Sequence, residues 1–100
     1  MHALGAINVD VAFLGANAVS TTRGLSTPDE QEAMTKKAMF AAARRRILLA
    51  DHSKFGRESL YTYAHLADLD VIISDRGISA EAMAAVRAAG VDITLARKAA

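Results

Sequence analysis

Apolar residues fall in four short runs, each followed at once by polar residues. VDVAFLG, residues 9–15, is rich in β-formers, broken only by Asp10 and closed by Gly15, which predicts a buried strand. Ile47 to Ala50 predicts a second strand ending at Asp51, and Val71 to Ser74 a third ending at Asp75. VDITLA, residues 91–96, predicts the last. Ala16 to Ser26, with Asn17, Ser20, Thr21, Thr22 and Gly24, reads as a polar loop long enough to be functional. Thr27-Pro28-Asp29-Glu30 then reads as a helix start, with Thr27 as N-cap, Pro28 in the first helical position and Glu30 closing a capping box. The helix is expected to run to about Arg45, with Met34, Ala38, Ala41 and Ala42 facing a sheet and Arg44 and Arg45 complementing its negative end. On that expectation the Arg44-Arg45-Arg46 run is a helix terminus rather than a nucleic-acid patch. Ser79 is expected to cap a second, Ala-rich helix with Met83 and Val86 inward, and Gly90 to stop it. Between Phe55 and Leu69 the pattern is ambiguous: Leu60, Tyr61 and Tyr63 fit a short strand or an irregular turn.

Strands alternating with helices of these lengths predict right-handed βαβ units and a parallel sheet, hence an open α/β domain. A chain of 100 residues is one such unit. Its 52% hydrophobic and 5% aromatic content predicts an aliphatic, Ala-rich core. Twelve basic against eleven acidic side chains leave a net charge of +1, too little to draw the whole chain to nucleic acid or anionic lipid. The absence of Cys removes disulfides, thiolate metal sites and thiol nucleophiles, and fits a reducing cytoplasm. No apolar stretch is long enough to span a membrane, and no Lys or Arg precedes Asp10 to form the start of a secretion signal.

In an open parallel sheet, ligands bind outside the carboxyl ends of the strands, where loops converge without obstruction by helices. Three ends should meet there: Gly15-Ala16-Asn17, Asp51-His52-Ser53-Lys54 and Asp75-Arg76-Gly77. Ser53 and Lys54 offer a hydroxyl, an ammonium and turn amides, suited to a phosphate or carboxylate, and Asp51 could orient Lys54 or accept a sugar hydroxyl. The same residues also read as a solvated turn in which Asp51 caps local amides and Lys54 points into water. Glu32 and Lys36 are spaced for a surface ion pair, and Lys36 could also reach the strand-end cleft. His2, His52 and His65 have no partner at metal-ligand spacing in the sequence, so neither metal nor cofactor is expected. A triad of Ser53, His52 and Asp75 remains open, although no GxSxG elbow presents the nucleophile. Neither GxGxxG nor a P-loop occurs.

The series from VDVAFLGAN through GLSTPDEQE and ILLADHSKFG to LDVIISD and GVDITLA resembles the C-terminal effector-binding domain of the DeoR family of bacterial sugar-metabolism repressors, from about Asn8 to Ala96. That resemblance implies a cytoplasmic, non-catalytic sensor that binds a phosphorylated sugar or related metabolite, forms a homo-oligomer, and reaches DNA only through an N-terminal winged helix-turn-helix. The sequence contains neither that segment nor the family's Gly-Thr-Thr phosphate loop, so residues 1–100 read as part of an effector domain. The implied fold is similar to ribose-5-phosphate isomerase and the CoA transferases. The isomerase carries two Asp in an Asp-Gly-Ala-Asp motif and a Glu fifteen residues before its Asp-x-Ser-Lys. Here Leu14, Asn17 and Lys36 stand at those positions, while Asp51, Ser53 and Lys54 keep the Asp-x-Ser-Lys element. Without the carboxylates that move protons, isomerisation is not expected. The expected ligand-binding set is therefore Gly15, Ala16, Asn17, Lys36, Asp51, Ser53 and Lys54. Two other classes stay open: an isomerase-like or transferase-like enzyme using Asp51 or Asp75 as base, and a structural fragment that self-associates through an exposed sheet edge or apolar surface.

Overall fold

The computed structural model describes residues 9–96; His2 and Asn8 lie outside them. Strand β1 (Val9–Gly15) is followed by two short strands, β2 (Ala18–Ser20) and β3 (Gly24–Thr27), then by helix α1 (Glu30–Ala42) and strand β4 (Ala43–Leu49). A 3₁₀ turn (His52–Lys54), strand β5 (Tyr61–Ala64), a second 3₁₀ turn (Leu66–Asp68), strand β6 (Val71–Ser74), helix α2 (Ala80–Ala88) and strand β7 (Asp92–Leu95) complete the order.

Two sheets result. β1, β4, β6 and β7 form a parallel sheet in that order, and β2, β3 and β5 form a small antiparallel one. The expected parallel α/β architecture is therefore present. One face of the parallel sheet carries Ala12, Leu14, Leu48 and Ile72, buried together with Ala33 and Phe40 of α1 and Val86 of α2. The small sheet joins this core through Val19, Leu25, Tyr63 and Ala64. No helix among the described residues is long and apolar enough to cross a membrane.

The expected strand at residues 9–15 forms, as do Val71–Ser74 and residues 92–95 of the last run. Helix α2 is capped as expected, Ser79 Oγ accepting from the Ala82 N–H at 3.1 Å, and Gly90 ends it at φ +83°. Val86 is buried and Met83 half-buried. The ambiguous segment yields β5.

Four expectations are corrected. Residues 16–26 are not a loop but contain β2 and most of β3, because three- and four-residue strands leave almost no periodic signal. Thr27 is not the N-cap of α1: it closes β3, fully buried, and its Oγ1 accepts from Asn17 Nδ2 at 3.0 Å. Asp29 takes the cap, accepting from the Gln31 N–H at 3.0 Å, so α1 begins later. The buried positions of α1 are Ala33 and Phe40; Met34 is 66% exposed and Ala41 is exposed. Finally, α1 ends at Ala42, and Arg44, Arg45 and Arg46 lie in β4, paired with β1. Arg46 still serves the helix terminus, from the strand: its Nε donates to the Phe40 carbonyl at 2.7 Å and its Nη1 to Asp68 O at 3.2 Å.

Gly24 sits at φ +91°, and a Cβ there would lie 2.2 Å from the Ala64 carbonyl oxygen of the neighbouring strand. Left-handed strain and a backbone clash would act together, so Gly24→Ala is expected to destabilise the fold by more than about 2 kcal/mol, measured as a lowered midpoint in urea unfolding.

Candidate functional site at the strand ends

Because β1, β4 and β6 run parallel and in register, Gly15 pairs with Leu49 and Leu49 with Ile73, and the three chains leave the sheet side by side. The ladder continues one residue further, with Ala16 N–H to Leu49 O at 3.2 Å and Ala50 N–H to Ile73 O at 3.1 Å. The predicted meeting of Gly15–Asn17, Asp51–Lys54 and Asp75–Gly77 at one edge thus follows from the pairing.

At the β1 end, Lys36 reaches from α1 to the edge, as expected. Its Nζ donates to Gly15 O and to Glu32 Oε1, both at 2.9 Å, and lies 5.2 Å from the centre of the Tyr63 ring. Its side chain is only 15% exposed. Asn17 Nδ2 donates to Thr27 Oγ1 at 3.0 Å and lies 3.5 Å from Glu32 Oε1. Glu32 is the residue that sequence reasoning missed as part of a site. The Lys36 ammonium holds its carboxyl below the ordinary carboxylate range, aided by Thr27 and Asn17. Tyr63 beneath is neutral, its hydroxyl pushed up to about 12 by burial and by Glu32. Ala16 is buried, and Gly15 has open space where a side chain would stand.

At the β4 end, the His52–Lys54 turn corrects one expectation. Its amides are not free to hold an anion. His52 N–H donates to Asp75 Oδ2 at 3.1 Å, Ser53 N–H to Asp51 Oδ1 at 2.8 Å, and Lys54 N–H to Asp51 O at 3.1 Å. Phe55 N–H goes to His52 O and Gly56 N–H to Val19 O. Ser53 Oγ also donates to Asp51 Oδ1. Asp51 is therefore turned back on its own loop, and the Ser53 hydrogen bonds hold it below the ordinary carboxylate range. Lys54 is half-buried, and its ammonium has no hydrogen bond or ion pair among the described residues.

At the β6 end, Asp75 receives His52 Nδ1 at 3.0 and 3.1 Å and Gly77 N–H at 2.7 Å. The His52 amide and ring keep the Asp75 carboxyl below its ordinary range. Ser53 points to Asp51, not His52, so the Ser-His-Asp arrangement left open by the sequence is not assembled. Asp51, His52 and Asp75 bring one potential metal-ligand atom each within 4.8 Å of one another, a grouping invisible to sequence spacing. A cavity of about 510 Å³ opens beside this end, lined by His52, Phe55, Gly56, Gly77, Ser79 and Glu81 among others. None of the seven predicted binding residues lines it.

The comparisons with known proteins bear on this edge. The DeoR C-terminal sensor domain model matches residues 1–76. The chain belongs to that family. An HTH-type transcriptional regulator, GlpR, of Haloferax volcanii is 40% identical over 86 residues, covering 86% of this chain and 34% of the relative. A putative aga operon transcriptional repressor of Escherichia coli O157:H7 is 41% identical over 86 residues, 86% of this chain and 32% of the relative. The HTH-type transcriptional repressor GlcR of Bacillus subtilis is 40% identical over 73 residues, 73% and 28% respectively. The chain spans about a third of the length of these curated relatives. The matched residues thus include the strand-end edge from Gly15 to Arg76.

Asp51 and Asp75 are both depressed in the folded state, so their contribution to stability is complete above the ordinary carboxylate range and is lost as pH falls through the folded values. Asp75→Asn is expected to flatten the acid limb of stability against pH, measured by urea unfolding between about pH 6 and about pH 2. Gly77→Ala, whose Cβ would lie 2.7 Å from His52 Nδ1 and 2.9 Å from Asp75 Oδ1, is expected to separate the pair and reproduce that flattening.

Proposed function

We propose that this chain is the metabolite-sensing part of a DeoR-family regulator of sugar metabolism, and that its strand-end edge binds a phosphorylated sugar without transforming it. The carrying observation is Lys54: a half-buried residue whose ammonium has no protein partner among the described residues, on the edge that also presents Asn17, Asp51 and Asp75. An unpaired cation beside hydroxyl-binding groups suits a ligand with one anionic end and several hydroxyls. Lys36 has a different part. Bound to Gly15, Glu32 and the Tyr63 face, it braces the β1 end, and the Glu32 carboxylate beside it repels a second anion. The sugar hydroxyls then belong over Gly15, Ala16 and Asn17, with Glu32 as an acceptor, and the phosphate over Lys54. Ser53 joins only by releasing Asp51.

Residues 1–100 act in this reading as part of the sensor domain, and DNA is reached through a winged helix-turn-helix elsewhere in the regulator. Occupancy would act by favouring one arrangement of the domain over another. The absence of turnover is supported by Leu14, which is buried, and by Asn17 and Lys36, which stand where the isomerases carry carboxylates.

A second reading is favoured by one observation. His52 Nδ1 is held by Asp75, which leaves Nε2 without a partner among the described residues in a side chain that lines the 510 Å³ cavity. A His oriented by a carboxylate is the equipment of a general base. Turnover of a pentose or hexose phosphate, lost in His52→Ala, would establish that reading.

Isothermal titration against a panel of sugar phosphates tests the first. One of them is expected to bind, Lys54→Ala to weaken it about ten-fold or more, and Lys36→Met to change it chiefly through stability. Equal heats from Lys54→Ala and the parent chain would remove Lys54 from the site.

A further inference from the structure

The Glu32–Lys36 pair has an inner and an outer member. Both side chains come from one face of α1, four residues apart, yet solvent reaches them unequally: Lys36 is 15% exposed and Glu32 38%. The ammonium is the inner member, with Gly15 O and Glu32 Oε1 each 2.9 Å from Nζ and the Tyr63 ring centre 5.2 Å away. Those three contacts occupy the three donors of an ammonium, so Lys36 has nothing left to offer an arriving group. The carboxylate is the outer member, with Asn17 Nδ2 3.5 Å from its Oε1. Its place is fixed from both sides. Asp29 caps the start of α1 through the Gln31 N–H, Ala33 beside Glu32 is buried in the core, and the fully buried Thr27 holds Asn17 Nδ2 at 3.0 Å.

We propose that Glu32 sets the chemical class of the effector: a metabolite with one anionic group and an uncharged, hydroxyl-bearing remainder. Resting on the strand-end edge as the ligand site, this goes further by naming what the β1 end excludes. A carboxylate accepts hydrogen bonds and donates none, so Glu32 takes a hydroxyl and turns away a phosphate or a second carboxylate. Lys36 keeps Glu32 ionised, its hydrogen bond and charge holding the carboxyl below the ordinary range. A second anion laid along β1 would have to sit against that carboxylate or displace it from Lys36. Bisphosphates and phosphorylated sugar acids are thus rejected by a repulsive group, whereas monophosphates of neutral sugars are admitted. The discrimination is reversible by one charge. Without the Glu32 carboxylate, the Lys36 ammonium regains a donor and attracts the second anion.

Isothermal titration is the test, with hexose and pentose monophosphates each set beside the bisphosphate of the same sugar, and glucose 6-phosphate beside 6-phosphogluconate. The readout is the ratio of the two affinities. The parent chain is expected to bind a monophosphate at least about ten-fold more tightly than its doubly anionic counterpart. Glu32→Gln, which keeps the shape and removes the charge, is expected to close that ratio, and Lys36→Met, which leaves the carboxylate uncompensated, to widen it. A pair that only braced the fold would lower both affinities together in both variants. A ratio unmoved by Glu32→Gln, or a parent chain that binds both ligands of a pair equally, would overturn the assignment and leave the monophosphate site standing. A parent chain that binds no sugar phosphate would overturn the ligand site itself, and the role of Glu32 with it.

Discussion

The structure depends on one constraint, the parallel register of β1, β4 and β6. Side-by-side strands running the same way deliver Gly15, Leu49 and Ile73 to one line, and the residues after them then leave the sheet at a single edge. Polar groups far apart in the chain become neighbours for this reason alone. His52 and Asp75, separated in the chain by two strands, β5 and β6, are 3.0 Å apart because β4 and β6 end together. The helices add to this rather than create it. Helix α1 contributes Glu32 and Lys36 to the β1 end because its buried face, through Ala33 and Phe40, lies against the same sheet.

Charge along that edge is graded. At the β1 end Lys36 is saturated by a carbonyl, a carboxylate and an aromatic face, and its charge is matched by Glu32. In the middle Asp51 is closed on its own turn by Ser53. Lys54 retains its bonding capacity among the described residues, as does the guanidinium of Arg76 at the β6 end. An anion arriving at the edge meets repulsion at Glu32, Asp51 and Asp75 and attraction at Lys54 and Arg76, so a ligand with hydroxyls along its length and charge at one end is favoured with that charge away from the β1 end. This differs from the picture of amides cradling a phosphate, since the amides from His52 to Gly56 are spent on the fold.

Much of the frame was legible in the residues. VDVAFLG, VIIS and the Ser79-to-Gly90 helix carry their own period, caps and stops, and each lies where the pattern puts it. The strand-end edge followed from topology, and Lys36 was reachable from its spacing. What escaped has physical reasons. Thr27 has the chemistry of an N-cap, but its hydroxyl is taken by Asn17, a contact ten residues away that no local pattern reports. The Arg44-Arg45-Arg46 run looks helical until β1 offers a ladder that extends β4 well before its apolar part. Whether turn amides are free depends on tertiary partners such as Asp75 and Val19, and the pairing of His52 with Asp75 on which strands adjoin. Glu32 read as half of a surface pair because Asn17 becomes its neighbour only in the folded chain.

The central claim is that Lys54 and the neighbouring strand ends receive the anion and hydroxyls of one ligand. Heteronuclear NMR of the labelled chain during titration with a sugar phosphate addresses it most directly. The account predicts the largest shifts at Lys54 and at the side-chain amide of Asn17, with inorganic phosphate alone moving Lys54 and sparing Asn17. Shifts confined to the groove formed by Arg87 and residues 90–94, with Lys54 and Asn17 unmoved, would contradict it.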